Sequence, residues 1–360
     1  MTKESNKSEW LIQGDCETMA GNKNLNKAKD AKMDEFYTRR EDIEIELSHY
    51  RNHFKNKIVY CNCDDPAQSE FWRFFVRVFS DWGLKKLMAT HYEPDEKNYA
   101  YKLEICEDTN GDGKIDSLDE PTVTQIQCNG DFRNQICIDL LKEADIVVTN
   151  PPFSLFREYV AQLMEYKKKF LIIGPLNAIK YKETFPLLKD GKMWTGYKAF
   201  GGGMDMIFPP HLFDATKVKK YKVDPEGRYI VNIMGVIWFT NLDIPKRHQL
   251  LDLRGNYYRP ENYPRYDNYD GIDVDKIENI PCDYSGMMGV PITFMQDYNP
   301  EQFELIGMGT GDTAKEIGVT KNYRGRTDLA VTKDGKSSCP YTRIIIRNKN
   351  PEPRRYPDED

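Results

Sequence analysis

An Asn-Pro-Pro-Phe turn that directly follows a short apolar strand is the part of this sequence best suited to chemistry. It occupies residues 150–153, after the apolar run at 145–149. The Asn150 side-chain oxygen and a main-chain carbonyl of the stiff Pro151-Pro152 pair can together accept both hydrogens of a planar exocyclic NH2. Phe153 adds a flat apolar face, and enzymes that modify a nucleobase hold it outside the helix by stacking and by edge hydrogen bonds. We therefore predict a catalytic group of Asn150, Pro151, Pro152 and Phe153 that methylates an amino group.

A structural explanation of this turn is also available, because two prolines end a strand and open a turn before a helix. Position favours the catalytic interpretation. Open α/β sheets bind their ligands in the crevice outside the carboxyl ends of the strands, and the turn at Asn150 lies at such an end.

The carboxyl end of the first long strand is the expected place for a methyl donor. Residues 59–66 contain no GxGxxG pattern, which weakens an assignment to NAD or FAD because a pyrophosphate needs glycines for close backbone approach. S-adenosylmethionine carries a carboxylate, an ammonium and a sulfonium in place of phosphates. Asn62, Asp64 and Asp65 near a helix N-terminus suit the ammonium, and a simple capping loop has the same composition.

Two further segments fit the same pocket, at residues 34–38 and 130–133. The Asp131 carboxylate can accept from the amino group of the donor's adenine, with Phe36 or Phe132 beside the ring. Glu93, after the second strand, is a weaker candidate for the ribose hydroxyls.

The predicted elements that position these residues alternate between helix and strand, as a doubly wound sheet requires. An amphipathic segment at 41–54 precedes a strand at 57–62, a helix from 66 to about 82 and a strand at 84–91. The order continues with strand-like segments at 101–106 and 122–128, a helix at 133–142, a strand at 145–149, a helix at 154–167 and a strand at 169–174. We predict Asp65 as N-cap of the helix that starts at Pro66, and a late buried strand at 231–239.

Composition excludes several classes of protein. The 360 residues contain no apolar run long enough to span a membrane and no apolar signal segment at the N-terminus, so we expect a cytoplasmic protein that does not enter a membrane. Eight cysteines are scattered without a CxxC framework, which argues against a zinc ribbon and against a disulfide scaffold.

The charge distribution favours a nucleic-acid partner more than the net charge of -6 does. Ten basic residues lie between Lys321 and Arg355 against three acidic ones, which is sufficient for contact with a phosphate backbone, although a solvated tail has a similar composition. The ten are Lys321, Arg324, Arg326, Lys333, Lys336, Arg343, Arg347, Lys349, Arg354 and Arg355. Upstream, Tyr257, Tyr258, Tyr263, Tyr266 and Tyr269 are interleaved with Arg254, Arg259 and Arg265, a mixture suited to a contact surface.

A calcium-type loop is embedded at residues 108–119. Asp108, Asn110, Asp112, Asp116 and Asp119 match loop positions 1, 3, 5, 9 and 12, with Gly113 at position 6. Because strand-like segments flank it, we predict a single Ca²⁺ site at a hairpin tip, without a role in methyl transfer. A hairpin turn rich in Asp, Asn and Gly is the alternative.

With these segments in this order, the chain resembles the EcoRI-type adenine-specific DNA methyltransferases, which methylate N6 of adenine. The resemblance covers most of the chain, and residues before Met19 look like an extension relative to the family. It includes NKNLNKAK (22–29), DEFYT (34–38), VYCNCDDP (59–66), GDFR (130–133), ADIVVTNPPFSLFREYV (144–160), KKFLIIG (168–174), WFTNL (238–242), YPRYDNYD (263–270) and IPCDYSGMMGVPITF (280–294). The loop from Gly174 to Asn177 departs slightly from the family's usual sequence.

The resemblance implies an α/β fold: a Rossmann-like methyltransferase sheet with a reversed final strand, and a loop-rich C-terminal target-recognition region. The donor is S-adenosylmethionine, its motifs map onto Phe36, Tyr37, Asn62, Asp64 and Asp131, and the adenine is flipped out of double-stranded DNA. The predicted donor-binding set is Phe36, Tyr37, Cys61, Asn62, Asp64, Asp131 and Phe132. We expect a flexible lead at 1–30, a catalytic domain at 31–242 with a hairpin insertion near 101–128, and the recognition region at 243–360.

Other functions stay open at this point. Glutamine N5 methyltransferases of proteins also use such a turn, but they usually carry Tyr at the aromatic place and a glycine-rich first loop, and a cytosine N4 enzyme would favour Ser at position 150. A DNA-binding or calcium-binding module without catalysis is the alternative from another class. The expected setting is restriction-modification, with a cognate endonuclease that makes no direct contact, or an orphan or phage role; the sequence does not disclose the DNA site or the oligomeric state.

Overall fold

The computed structural model describes residues 36–63, 65–93, 100–209, 213, 218, 220–257 and 260–353. Predictions for the lead at 1–30, the start at Met1 or Met19, residues 34 and 35, Asp64, Tyr258, Arg259, Arg354 and Arg355 lie outside these residues. The chain divides into two compact units. The first comprises residues up to Asn177 together with 198–242, and the second comprises 178–197 and 243–360.

The first unit contains five α-helices among the described residues. They are α1 Arg40–Leu47, α2 Arg51–Phe54, α3 Glu70–Trp82, α4 Gln135–Glu143 and α5 Phe156–Glu165. Its strands are β1 Tyr37–Thr38, β2 Ile58–Cys61, β3 Lys86–Thr90, β4 Tyr101–Ile105, β5 Thr122–Gln125, β6 Ile146–Thr149, β7 Lys169–Pro175, β9 Met204–Phe208, β10 Lys222–Val223, β11 Tyr229–Ile233 and β12 Val236–Thr240. The second unit holds β8 Trp194–Thr195, β13 Ile272–Asp273, β14 Met288–Pro291, β15 Phe303–Met308, β16 Val331–Lys333, β17 Lys336–Ser338, β18 Arg343–Asn348, α6 Phe185–Lys189 and α7 Gly311–Glu316. Short 3-10 helices occur at Ser48–Tyr50, Phe153–Leu155, Leu176–Lys180, Pro245–His248, Pro260–Asn262, Ile277–Asn279 and Ile292–Gln296.

A mixed sheet forms the centre of the first unit, and the α/β prediction is confirmed. Its strand order there is β5-β4-β3-β2-β6-β7-β12. β3, β2, β6 and β7 are parallel, as the alternating pattern predicts, and β12 runs antiparallel to β7. All residues of β6 and β12 are buried, which explains their continuous apolar composition. The carboxyl ends of β2 and β6 therefore open at the same edge of the sheet.

The helix α3 shows where the sequence and the structure differ. Its apolar residues recur at helical spacing and are buried, but it begins at Glu70, four residues after the predicted start at Pro66. Ser69 is the N-cap, and its side chain accepts from the Phe71 N–H. Asp65 instead closes a turn by accepting from the Ala67 N–H at 3.0 Å. The prediction of Asp65 as N-cap was wrong, because an Asx turn and a helix cap use the same residue type.

The apolar run at 231–239 is two strands and not the single late strand that we predicted. β11 ends at Ile233 and pairs with β9 in a second, antiparallel sheet of order β1-β9-β11-β10. Gly235, with a φ of 71°, then reverses the chain into β12. This second sheet carries β1, whose Tyr37 pairs with Ile207, and so fixes the segment from 34–38 that the sequence assigns to the donor site.

The second unit contains more regular structure than its loop-rich description implies, and that description is not confirmed. A four-stranded sheet of order β13-β14-β18-β15 forms its centre, and β16 and β17 form a separate hairpin. Tyr263 and Tyr266, predicted on a contact surface, are buried, with 7% and 6% of their surfaces exposed. None of the helices described is both long enough and apolar enough to cross a membrane.

Candidate active site

The Asn-Pro-Pro-Phe turn is anchored by the amide nitrogen of Asn150. The turn leaves β6 at the carboxyl edge of the sheet, and Asn150 is buried. Its Nδ2 donates to the carbonyl oxygen of Phe36 at 2.6 Å, across 114 positions of sequence. This bond fixes the orientation of the amide and assigns Oδ1 to the acceptor role that the sequence predicts for it.

The two prolines contribute different carbonyls. The Pro152 carbonyl accepts from the Leu155 N–H at 3.0 Å and closes the first turn of the 3-10 helix at Phe153–Leu155. The Pro151 carbonyl, by contrast, takes part in no hydrogen bond within the described chain, so it is the main-chain acceptor available beside Asn150. Phe153 begins the 3-10 helix and is 7% exposed, which leaves a small part of its ring open.

The loop after β2 is tied to the same edge by two side chains. The Cys63 N–H donates to the Thr149 hydroxyl at 3.2 Å, which joins this loop to the residue before Asn150. Asn62 is buried, and its side-chain oxygen accepts from the Tyr159 hydroxyl of α5. Burial raises the pKa of Tyr159 well above its ordinary value, so this phenol stays a donor. Asp64, the predicted partner of the donor's ammonium, lies outside the described residues.

These contacts limit what Asn62 and Cys61 can offer a ligand. The Asn62 oxygen is used inside the protein, and the Cys61 side chain is fully buried at the end of β2. Their predicted donor contacts therefore depend on the main chain of the loop.

The segment at 130–133 lies near the loop after β2, to which Tyr159 connects it. Asp131 accepts through both carboxylate oxygens from the guanidinium of Arg133, at 2.9 and 2.7 Å. These bonds hold the pKa of Asp131 below its usual range in spite of its burial, so the group is an anion at neutral pH. Phe132 is buried and packs edge-on against Tyr159 with ring centroids 5.0 Å apart. Phe132 and Asn62 thus both contact Tyr159, a residue that the sequence did not single out.

Gly130 brings this segment close to the strand β3. Its φ is 79°, and a Cβ atom there would lie 2.0 Å from the His91 carbonyl oxygen. Only glycine allows that approach. After β3, the Glu93 N–H donates to the Asn129 carbonyl at 2.8 Å, so the two loops are joined.

A cavity of about 220 Å³ opens beside Tyr37, next to the Phe36 carbonyl that holds Asn150. It is lined by Tyr37, Gln68, Arg73, Ile207, Phe208, Glu226 and Arg228. Behind it the fully buried carboxylate of Glu70 accepts from Arg40 at 3.1 Å and from Arg73 and Arg228 at 2.9 Å each. Burial raises the pKa of Glu70. The hydrogen bonds from Arg40 and Arg228 and the charges of Arg40 and Arg73 lower it by more than burial raises it, so the net shift is downward.

The structure brings most of the predicted residues together. Phe36 contacts Asn150, the loop with Asn62 contacts Thr149, and Phe132 reaches the same loop through Tyr159. The sequence pattern gave no indication of Tyr159 or Glu70, because Tyr159 bonds to Asn62, 97 positions away, and two of the three partners of Glu70 lie 30 and 158 positions away. A Tyr inside a helix and a Glu at a helix start are otherwise ordinary residues.

The calcium prediction is not supported. Within the described residues, no group of three or more His, Cys, Asp or Glu side chains is arranged to hold a metal ion. Asp108 accepts from the Gly111 and Gly113 N–H groups at 2.6 and 2.7 Å, and Asp119 accepts from the Thr109 and Asp116 N–H groups. The five predicted ligands Asp108, Asn110, Asp112, Asp116 and Asp119 close a polar turn instead, which is the alternative explanation of the pattern.

The basic segment of the second unit divides into paired and unpaired residues. Arg343 is buried on Asp273 at 2.8 Å, Arg347 pairs with Glu304, and Lys349 donates to the Pro300 carbonyl. These three do not fit the predicted contact with phosphates. Among the described residues, Lys321, Arg324, Arg326, Lys333 and Lys336 are exposed and have no ion-pair partner.

Comparison with known proteins identifies a family. A family model described as "Adenine-specific methyltransferase EcoRI" matches residues 24–349. The Type II methyltransferase M.EcoRI of Escherichia coli is 45% identical over 336 residues, which cover 92% of this chain and 98% of that protein. The Type II methyltransferase M.MpnI of Mycoplasma pneumoniae is 38% identical over 335 residues, which cover 90% of this chain and 98% of that protein. No solved structure matches this chain.

Proposed function

The chain belongs to the adenine-specific methyltransferase EcoRI family and is an adenine-specific methyltransferase, and we propose that the turn at Asn150 is its catalytic group, acting on N6 of an adenine flipped out of duplex DNA. Membership in the family implies S-adenosylmethionine as methyl donor. The observation that carries the proposal is the 2.6 Å bond from Asn150 Nδ2 to the Phe36 carbonyl, because it leaves Oδ1 as the acceptor beside the Pro151 carbonyl.

Asn150 and Pro151 act on the nucleophile. The Asn150 Oδ1 and the Pro151 carbonyl accept one N6 hydrogen each, which withdraws the nitrogen lone pair from conjugation with the ring and aims it at the donor. The Phe153 ring stacks on the base and holds it against return to the helix. The new nitrogen–carbon bond would form as the carbon–sulfur bond of a bound donor breaks, with the sulfur keeping that electron pair as a neutral thioether. The methylated N6 nitrogen would then release one proton to water, and no covalent enzyme intermediate is required.

The donor site that we propose lies at the edge formed by β1, the loop after β2 and residues 130–133. The residues present fit the group: an anionic Asp131, aromatic Phe36 and Phe132, and a loop without the glycines that a pyrophosphate needs. Tyr37, Cys61, Asn62 and Asp64 complete the proposed set. When bound, S-adenosylmethionine supplies an electrophilic methyl group on a sulfonium. The chain's part is to orient the donor and to shield it from water between Phe132 and the turn at Asn150.

The names of the two relatives support a setting for this chain, which we propose here. Both are Type II methyltransferases, and we place this chain in the cytoplasm, in a restriction-modification role with a cognate endonuclease that acts on the same DNA site without contacting it. The seven cysteines among the described residues are thiols, which suits a reducing compartment.

Sequencing of modified bases tests this function directly. DNA from methylation-free bacteria that express the wild type, Asn150→Ala or the control Asn52→Ala, a change at an exposed residue of α2, is read by single-molecule sequencing. We expect N6-methyladenine at one short motif with the wild type and with the control. Because a single lost hydrogen-bonding group in a catalytic site costs on the order of a hundredfold to a thousandfold in rate, we expect no detectable methylation with Asn150→Ala.

Calorimetric titration with S-adenosylmethionine accompanies the sequencing. Asn150→Ala should bind the donor with wild-type affinity, because the Asn150 side chain faces the base. Normal methylation by Asn150→Ala would remove this assignment. An absence of modified bases with soluble wild-type protein would remove methylation of DNA as the function.

A further inference from the structure

The exposed turn at residues 322–328 of the second unit is held unusually firmly by two buried asparagines. The Asn322 side chain donates to the Asp328 carbonyl at 2.9 Å and accepts from the Arg324 and Arg326 N–H groups at 2.8 and 3.2 Å. Its main-chain N–H also donates to the Arg326 carbonyl at 2.8 Å. One side chain therefore fixes the main chain on both sides of the two arginines.

Asn268, in the YPRYDNYD segment, fixes the base of the same turn. It is 7% exposed and donates to the Thr320 and Asp328 carbonyls at 2.8 and 2.9 Å, while its oxygen accepts from the Ala330 N–H at 2.9 Å. Leu329 and Val331, directly after the turn, are buried in an apolar cluster with Tyr266 and Ile345. The foot of the turn is core, whereas residues 323–326 are exposed.

The side chains at the tip have the types that read nucleic acid. Tyr323 is 51% exposed, and the Arg324 guanidinium lies 5.1 Å from the centre of its ring, which orients the guanidinium. Arg324 and Arg326 are exposed, and within the described residues neither has a carboxylate partner. Two guanidinium groups on a fixed main chain, without a carboxylate partner among the described residues, are arranged for an external anionic or hydrogen-bond-accepting partner.

The adjoining hairpin presents a different kind of charge. β16 and β17 are joined by a two-residue turn at Asp334 and Gly335, and Lys333 lies directly opposite Lys336 in the register. Like charges in opposite cross-strand positions destabilise a hairpin. Neither lysine forms an ion pair with the described part of the chain. Asn322 also donates to the Cys339 sulfur at 3.3 Å, which places the hairpin beside the turn.

We propose that the turn at 322–328 and the hairpin of β16 and β17 recognise duplex DNA through two different kinds of contact. This inference rests on the proposed function. Arg324 and Arg326 read base edges in a groove and determine part of the target sequence. Lys333 and Lys336 neutralise phosphates and supply affinity without sequence preference. Arginine is the side chain whose fork matches the O6 and N7 acceptors of guanine, and a fixed main chain makes such reading selective. Lysine at a hairpin tip acts as a point charge on the backbone.

The arginines are tested by the sequence preference of methylation. Wild type, Arg324→Gln, Arg326→Gln and the control Arg51→Gln, an exposed arginine of α2, are expressed as full chains, and methylated motifs are read by single-molecule sequencing. Duplexes with one substituted base pair are then compared in methylation rate. We expect each arginine variant to lose about tenfold to a hundredfold of its discrimination at one motif position and to keep it elsewhere.

The lysines are tested by the salt dependence of binding to a labelled duplex that carries the motif. We expect Lys333→Gln and Lys336→Gln each to reduce the slope of log affinity against log salt by about one, with the methylated motif unchanged. Lys276→Gln, which removes an exposed lysine paired with Glu278, is the matched control and should keep the wild-type slope.

The possible failures are distinct. If soluble wild-type protein produced no methylated motif, the proposed function would be overturned and this inference with it. A wild type that methylates one motif, with arginine variants that keep its full discrimination or that weaken equally on every duplex, would overturn base reading alone. Unchanged salt slopes in both lysine variants would overturn the phosphate contact. Thermal unfolding and donor titration of each variant establish that the fold is intact.

Discussion

At the scale of single residues, the two polar atoms of the Asn150 amide differ in their roles. Nδ2 donates to the Phe36 carbonyl, and Oδ1 is the atom that we propose as the acceptor for the substrate. The order Asn-Pro-Pro-Phe predicts the chemistry of the turn, and that assignment stays a prediction. The partner of Asn150 could not be predicted, because the bond joins two segments 114 positions apart and only the second sheet brings them together. The partner of Asn62 could not be predicted either, because its side-chain oxygen accepts from the distant Tyr159 hydroxyl.

Phe153 provides a residue-scale prediction. Stacking of a base on an aromatic ring contributes about 1–3 kcal/mol, so Phe153→Ala should lower the single-turnover rate on duplex DNA by roughly five- to 150-fold. Phe153→Tyr keeps the ring and should remain within about threefold of the wild type. The measurement is rapid-quench methylation of a duplex with its motif adenine in place.

A purely structural role for this buried ring would give a different pattern. The donor affinity and the unfolding midpoint of Phe153→Ala, measured in parallel, should change much less than the rate. A normal rate in Phe153→Ala, or a rate loss fully matched by loss of the fold, would contradict the stacking role.

At the scale of elements, the strongly periodic segments were predictable and the boundaries between them were not. β2, β6 and β7 are buried apolar runs, and the helix α3 shows its buried face in the spacing of Phe71, Phe75 and Trp82. The start of α3 was misplaced because Asp65 and Ser69 are both good caps, and only tertiary contacts decide between them. Asp65 is drawn away by Tyr101, which donates to it at 3.2 Å.

Long-range pairing also explains the misjudged run at 231–239. Its apolar residues satisfy one strand pattern, but Met204 to Phe208 and Lys169 to Pro175 compete for its two halves and pair with them in different sheets. No local pattern discloses which partner is present.

Gly130 provides a prediction at the element scale, because it allows the close approach of two loops that belong to the proposed donor site. Alanine at this position carries left-handed strain of about 1 kcal/mol and also places its Cβ against the His91 carbonyl, so the main chain at Asp131 must shift. We expect Gly130→Ala to lower the donor affinity at least tenfold and the unfolding free energy by more than about 2 kcal/mol. Calorimetry and urea denaturation measure the two effects.

Gly113→Ala, in the polar turn at 108–119, is the matched control for Gly130→Ala. Its φ of 87° imposes the same left-handed strain, but no atom lies within 4 Å of the added Cβ. It should lose about 1 kcal/mol of stability and keep the donor affinity. Equal donor affinities in the two variants would show that the approach of Gly130 to His91 does not position the donor site.

At the scale of the whole molecule, the overall charge and the local charge have different consequences. The chain carries a net charge of -6, yet the exposed cations that lack partners within the described residues include the group at 321–336. A protein of this composition should bind DNA weakly without the local group, so a small number of side chains decides its affinity. The described residues predicted for catalysis, in contrast, all lie in the first unit.

Glu70 is the group through which pH should act on the stability of the first unit. It is fully buried, and guanidinium groups from α1, α3 and the turn before β11 converge on it. Its folded-state pKa lies below the ordinary value of 4.5. A depressed carboxylate pKa stabilises the fold fully at pH values above the unfolded pKa, and the contribution is lost as the pH falls through 4.5 toward the folded pKa. The acid side of the stability curve should therefore report this cluster.

Glu70→Gln removes the charge and nearly preserves the shape, so it isolates this contribution. At pH 7 we expect the variant to lose on the order of 2 kcal/mol of unfolding free energy, since three partly exposed guanidinium groups lose their common partner. At pH 4 the difference from the wild type should shrink, because the Glu70 carboxylate of the unfolded wild type begins to take up a proton, which favours unfolding and has no counterpart in Glu70→Gln. Other carboxylates affect both proteins equally and cancel in the comparison.

Glu44→Gln, at an exposed pair with Arg77, is the control and should change stability by less than about 0.5 kcal/mol at either pH. Urea denaturation at the two pH values provides the measurement, and a difference between wild type and Glu70→Gln that stays constant or grows toward pH 4 would contradict the assigned pKa direction.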